Sequence, residues 1–254
     1  MTGDPITVGV VTPHAAAGPE VELPAITAGR VATLLFRTGP PPGASPRPSR
    51  TGPPGHAQLR ASTEPAAIDR AALTFMGKSL AAVVHASTTS GYVIGHREEA
   101  VLVERLSQRL GVPAVASCSA VVAALRTHRI ERVHVVHPPW FADELDDLGD
   151  AYFRSQGFDP AVTKAVGLPG DPARMESRHV VDWIEHHLED RAEAVFLAGN
   201  GFRAAGAVEE LELRTGRLVV EANQALLWQV LTAVGATWDV TGYGRLFQAN
   251  TSPR

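Results

Sequence analysis

A chain of 254 residues suffices for one large α/β domain or two smaller ones, each able to bury a core. Its 44% hydrophobic and 20% charged residues are ordinary for a water-soluble globular protein. The net charge of −4, from 23 basic and 27 acidic residues, excludes the basic footprint of a nucleic-acid binder. A single cysteine, Cys118, excludes an internal disulfide and a cysteine-rich zinc site. No apolar run approaches a membrane span. The opening MTGDPITVGVV shows no basic segment leading into a long apolar stretch, so the expectation is a cytoplasmic protein with no membrane partner.

Short apolar or β-branched runs recur along the chain: ITVGVVT (6–12), RVATLLF (30–36), AAVVHAS (81–87) and PAVAS (113–117). They continue with RVHVVH (132–137), PAVTKAV (160–166), AVFLAG (194–199) and RLVVEA (217–222). Helical periodicity fills most of the intervals. In HREEAVLVERLSQRLG, Leu102, Leu106 and Leu110 share a face, Gly111 supplies a C-cap and Pro113 stops continuation. CSAVVAALRTH has Ser117 or Ser119 available as an N-cap. In SRHVVDWIEHHLED, Val180, Ile184 and Leu188 recur at four-residue spacing. Strands alternating with helices predict parallel sheets covered on both faces, hence an α/β fold.

TGPPPGASPRPSRTGPPG (38–55) breaks the rhythm with seven prolines and four glycines. It suits neither helix nor central strand, and reads as a solvated surface loop or a lid over a site at the strand ends. The two halves of the chain also match in pattern. AAVVHASTTSGYVIG and EAVFLAGNGFRAAG are both strand, small polar turn and helix start, placed symmetrically about the middle. This predicts two pseudo-symmetric lobes around a cleft: residues 1–112 with 223–254, and residues 113–222.

Gly199-Asn200-Gly201-Phe202-Arg203-Ala204 fits the dinucleotide pattern G-x-G-x-x-A, and Glu221 lies about where a ribose-binding acid belongs. A mononucleotide-binding half needs βαβαβ, however, and only one further strand follows Gly201. The expectation is no nicotinamide, no metal and no other cofactor. Turns of small residues at helix starts expose backbone N–H groups to an anion. Ser87-Thr88-Thr89-Ser90-Gly91 and Gly199-Asn200-Gly201, facing each other, would hold a small carboxylated substrate.

The runs AAVVHASTTSGYVIG, GVPAVASCSAVVAALRTHRIERVHVVHPPWFADELDDL and AVFLAGNGFRAAGAVEELELRTGRLVVEANQALLWQVL resemble the aspartate/glutamate racemase superfamily. The likeness is to its maleate cis-trans isomerase and arylmalonate decarboxylase branch, over most of the chain except the Pro-rich segment and the tail. The resemblance implies two α/β lobes with the active site between them. It also implies one thiol per lobe in the racemases and isomerases, and a thiol in the second lobe alone in the decarboxylases. Those positions align with Ser87 and Gly199. An unactivated serine stays protonated where cysteine titrates near pH 8.5, so cysteine-type racemisation is not expected. Thr88 and Thr89 align with hydroxyls around a carboxylate, Pro13 with a proline after the first strand, and Trp140 with a substrate-binding tyrosine. By the same alignment, a cysteine introduced at Gly199 would restore a proton donor, provided the position does not need positive φ.

Proton transfer without a thiol needs another group. His14, in the first strand-end loop, leads because an imidazole titrates near neutrality. His137, ending a strand beside Pro138-Pro139-Trp140, is expected to reach the cleft, and Ser87 supplies a hydroxyl. Glu221 suits either a base or a helix cap, His85 a hydrogen-bonded core histidine, His186-His187 a solvated face, and Cys118 a structural role. The sequence thus points to a cofactor-independent decarboxylase or lyase stabilising an enediolate. A thiol-free isomerase or cyclase, or a non-catalytic carboxylate-binding protein, is the alternative. Self-association into a homo-oligomer is left open.

Overall fold

The computed structural model describes residues 5–38, 55–170 and 175–250. Each apolar run becomes a strand: β1 (Ile6–Thr12), β2 (Val31–Arg37), β3 (Ala82–His85), β4 (Ala114–Ala116), β5 (Arg132–His137), β6 (Asp159–Ala165), β7 (Ala194–Leu197) and β8 (Leu218–Glu221). They form two four-stranded sheets, ordered β2-β1-β3-β4 and β6-β5-β7-β8, and every pairing is parallel. The same strand order in both sheets makes the two lobes equivalent, with β3 of one corresponding to β7 of the other. The boundary expected after residue 112 falls one strand early. Ala114–Ala116 pairs with β3 and completes the first sheet instead of opening the second lobe.

The helices are α1 (Pro19–Ile26), α2 (His56–Thr63), α3 (Pro65–Phe75), α4 (Thr88–Leu110), α5 (Ser117–Thr127), α6 (Asp143–Ser155), α7 (Ser177–His187), α8 (Val208–Thr215) and α9 (Ala222–Ala233). Leu102 and Leu106 of α4 are buried as their spacing requires, and Gly111 caps the helix in the left-handed region with φ of 68°. Gly95, with φ of 74°, kinks α4 between its first two turns and the long remainder. Neither candidate serine caps α5. The cap is Ala116, and Ser117 is the first helical residue, its hydroxyl turned to a different partner described below. Leu188 lies just beyond α7, as its C-cap.

Apolar side chains cover the sheets on both faces. Val11, Leu59, Ile68, Phe75 and Leu106 pack the first sheet against α2, α3 and α4, while Val136, Val180, Ile184, Leu197 and Leu211 pack the second against α7 and α8. The largest cluster belongs to both lobes, running from Val84 and Leu125 to Phe153, Phe196, Leu226 and Leu227. Within it α5 and α9, the helices that follow the last strand of each sheet, pack on each other. Burying a side chain such as Leu226 fully contributes about 1.5–3 kcal/mol, so this shared core joins the lobes firmly. Of the Pro-rich segment 38–55, expected as a surface loop or a lid, residues 39–54 lie outside the described residues. Among the described residues no helix is long and apolar enough to cross a membrane.

The carboxyl ends of both sheets meet at the lobe boundary. There the loop after β1 lies directly on the turn after β7: a Cβ on Gly18 would overlap the carbonyl oxygen of Asn200, and one on Gly201 would stand 3.5 Å from Ala16 Cβ. Backbone approaches backbone at Gly18, so no side-chain rotation relieves a methyl group there. Gly18→Ala is expected to destabilise the protein by about 1–3 kcal/mol through overpacking, seen as a lowered midpoint in thermal or urea unfolding. Unchanged stability would mean that the lobes are not in this contact.

Candidate active site

On the first-lobe side, β1 and β3 deliver their following residues to the boundary. Ser87 takes the extended conformation between β3 and α4, where its hydroxyl caps the helix by accepting from Ser90 N at 3.1 Å. The same oxygen lies 2.8 Å from Ser90 Oγ, 3.2 Å from Thr89 Oγ1 and 3.0 Å from His14 Nε2. His14 comes from the loop after β1, just past the buried Pro13, and is itself half-buried. Its backbone N–H donates to Thr12 Oγ1, and its carbonyl accepts from Arg37 Nε at 2.9 Å. Arg37 is in turn ion-paired with Glu20. Burial, and then the positive Arg37, push the His14 imidazole down to about 4. At neutral pH it is therefore a neutral ring against a serine hydroxyl, not the half-protonated group that its residue type alone suggests.

On the second-lobe side, Gly199 has φ of 90°, and a Cβ there would stand 2.9 Å from Pro138 Cγ. The condition attached to a cysteine at 199 fails, because the backbone there favours glycine; Pro138 also fills the space a side chain would need. Asn200 is buried and crosses the boundary. Its Oδ1 accepts from Thr88 N at 3.2 Å and from Ser117 Oγ at 3.0 Å, and its Nδ2 donates to Asn223 Oδ1 at 2.8 Å. Asn223 Nδ2 returns a bond to the Asn200 carbonyl at 2.9 Å and donates to Glu22 Oε2 at 2.6 Å, while Glu22 Oε1 accepts from Ala205 N. These bonds fix which way both amides point. Thr88 Oγ1 is buried with no hydrogen-bond partner among the described residues. Instead of two open turns facing an anion, one turn inserts its side chain into the other.

His137 does not reach this boundary as a free base. It is fully buried, with Nδ1 bonded to Asp146 Oδ1 and Nε2 placed 3.2 Å from Tyr92 OH, so both ring nitrogens are committed. Burial holds its pKa below the usual value, with Asp146 opposing. Trp140 is half-buried and packs its ring edge-on against Phe202. Glu221 is the N-cap of α9: its Oε2 accepts from Asn223 N and Gln224 N, and the Gln224 side chain completes a capping box. Burial and the neighbouring Glu22 carboxylate push Glu221 well above the usual carboxylate range. His85, expected to be a hydrogen-bonded core residue, is buried but neither ring nitrogen has a partner among the described residues, and burial lowers its pKa to about 4. His186 and His187 lie on the exposed face of α7, with Nδ1 against backbone carbonyls.

Two buried carboxylates escaped the sequence. Nothing in the sequence marks Glu22, and only the surrounding seam reveals it. Burial pushes it up to about 7 against the lowering effect of its Asn223 bond. Glu99, inside α4, accepts from Tyr152 OH at 2.9 Å and Cys118 N at 3.3 Å, and burial likewise raises it to about 7. Cys118 is completely buried, its Sγ donating to the Thr88 carbonyl, and its thiol pKa is raised by burial and by Glu99. That is the opposite of an activated nucleophile.

Two equivalent parallel α/β lobes, with polar turns meeting at their carboxyl ends, define a class of two-lobed α/β proteins. The family model for arylmalonate decarboxylase matches residues 64–247, and the chain belongs to that family. The matched stretch includes Ser87, Thr88, Thr89, Trp140 and the 199–201 turn, whereas His14 precedes it. The arylmalonate decarboxylase of Bordetella bronchiseptica is 27% identical over 176 residues, 67% of this chain and 72% of its own. The fold is that of unliganded arylmalonate decarboxylase, with a TM-score of 0.76 at 22% identity over 96% of this chain and 99% of the other. It is also that of a Pseudomonas putida S16 maleate isomerase variant crystallised with maleate, with a TM-score of 0.83 at 21% identity over 96% and 98%.

Glu99 offers a test of the buried electrostatics. An acid with its folded pKa raised from 4.5 to about 7 keeps its proton in the native state where the unfolded chain releases it. It therefore subtracts stability as pH rises between those values, and no further above them. Glu99→Gln should gain stability relative to the parent between about pH 4.5 and 7, with a constant difference at higher pH. Urea unfolding of both proteins across that range measures the difference; a flat difference would place an ordinary carboxylate at this position.

Proposed function

We propose that the protein is a cofactor-independent decarboxylase acting on a small dicarboxylate of the malonate type, with its proton-transfer group in the first lobe. The reading rests on the 3.0 Å contact between His14 Nε2 and Ser87 Oγ, in the turn that also carries Thr88 and Thr89. Family membership and the alignment of Ser87 with a catalytic thiol support it. Thr89 Oγ1 and the unpartnered Thr88 Oγ1 supply hydroxyl donors for the retained carboxylate. As the other carboxylate leaves as carbon dioxide, its bonding electrons pass into an enediolate, and the same donors stabilise the growing charge.

One proton must then reach carbon. At rest the His14 ring is neutral, because burial and Arg37 hold its pKa at about 4. A bound dianion reverses the local charge and raises that pKa, so the imidazole takes up a proton from solvent as substrate binds. The imidazolium passes it through the Ser87 hydroxyl, whose own proton goes to the carbanionic carbon. Ser87 here relays a proton and forms no bond to substrate, so it needs no thiolate-like acidity. Trp140, edge-on to Phe202, suits an apolar substituent on the substrate.

His14→Asn should lower turnover of a malonate-class substrate by about 10²–10⁴, the usual worth of general acid–base catalysis, while affinity for unsubstituted malonate changes far less. A variant with near-parental turnover would exclude His14 as the proton carrier. A protein that binds malonates intact and turns none over would be a binding protein instead. Calorimetry in buffers of different ionisation enthalpy gives an independent check: malonate binding at pH 6 should take up close to one proton in the parent and none in His14→Asn. Equal uptake in both would assign the proton to another group.

A further inference from the structure

The donors around Thr88 already have an occupant. Asn200 Oδ1, delivered from the other lobe, accepts from both Thr88 N and Ser117 Oγ, and Asn223 fixes its direction from behind through Nδ2. Thr88 Oγ1, on the same residue and wholly buried, has no partner among the described residues. An acceptor oxygen thus holds two donors of this turn and leaves a third buried hydroxyl unsatisfied. A planar carboxylate, with two oxygens and about four lone-pair sites, matches that set better than one amide oxygen.

From this we infer that Asn200 is a specificity-determining residue that competes with substrate. Its amide oxygen holds the carboxylate's donors in the free protein, and a ligand must displace it to bind. The inference rests on the carboxylate reading of the Thr88–Thr89 turn and adds what that reading lacks, a reason for selectivity. Charge-assisted hydrogen bonds are roughly twice as strong as neutral ones. An ionised carboxylate therefore wins the exchange, whereas a neutral ester, amide or ketone oxygen only matches what it displaces. Occupation by Asn200 also keeps buried N–H and O–H groups paired when no substrate is present, which preserves the lobe contact between turnovers.

Competition has a sign that a merely supportive residue cannot imitate. Deleting the competitor weakens the fold but tightens the ligand. Calorimetric titration of the full chain with malonate should show Asn200→Ala binding about 3- to 10-fold tighter than the parent, the worth of one net hydrogen bond, with a lower unfolding midpoint. Asn223→Ala leaves Thr88 N and Ser117 Oγ in place and frees the Asn200 amide, at the cost of the Asn223 bonds to the Asn200 carbonyl and Glu22, so it should also bind more tightly, and it serves if Asn200→Ala does not fold. Malonate that binds the parent but no more tightly in either folded variant overturns the competition and leaves the carboxylate reading standing. Malonate that binds none of the three proteins overturns both.

Discussion

Buried donors between the lobes need acceptors, and Asn200 supplies them. Thr88 N–H and the Ser117 hydroxyl belong to the first lobe, the amide that satisfies them to the second, and the Asn223–Glu22 pair that orients the amide to helices α9 and α1. Each such group left unpaired would cost about 1–3 kcal/mol, so the turns after β3 and β7 are held together at the place where a site is wanted. Ser87 is held by the same arrangement. Its neighbour Thr88 is anchored across the boundary, its own hydroxyl caps α4, and His14 comes to rest against it.

Burial also quiets the ionisable groups of this interior. It drives His14 and His85 down to about 4, so both rings are neutral at pH 7, and lifts Glu22 and Glu99 to about 7, so each is only about half ionised there. The ion pair of Arg37 and Glu20 lies beside His14.

The strands, the parallel sheets and the two-lobe plan were legible in the sequence because burial on both faces leaves near-continuous apolar runs, and RVHVVH or AVFLAG admit little else. Which lobe claims β4 was not legible, since three residues of strand carry no mark of the neighbour they pair with. Among the site residues, His14 and Ser87 could be nominated from their places at strand ends, yet nothing local showed that they touch. His137 has an equally suggestive place and is tied up by Asp146, nine residues on, and by Tyr92 from α4. Asn200 was picked out for its backbone, as part of a Gly-Asn-Gly turn, while its side chain makes the decisive contacts. Glu22 gave no signal at all, because its partners Ala205 and Asn223 are about two hundred residues away in sequence. Spacing reports neighbours along one element; a seam between lobes is made of groups that have none in common until the chain closes.

The pairing of α5 with α9 bears on how the chain comes off the ribosome. The first sheet is complete once β4 has been made, but the helix that covers α5 and β4 is α9, near the other end of the sequence. Val121, Leu125 and the inner face of the first lobe therefore wait for Leu226, Leu227 and Leu231 until the whole second lobe has been synthesised. An emerging first lobe carries an open apolar face throughout that interval, the kind of surface that aggregates or engages chaperones. Folding of this protein is in that respect a closing stroke, with the last long helix sealing the lobe that was begun first.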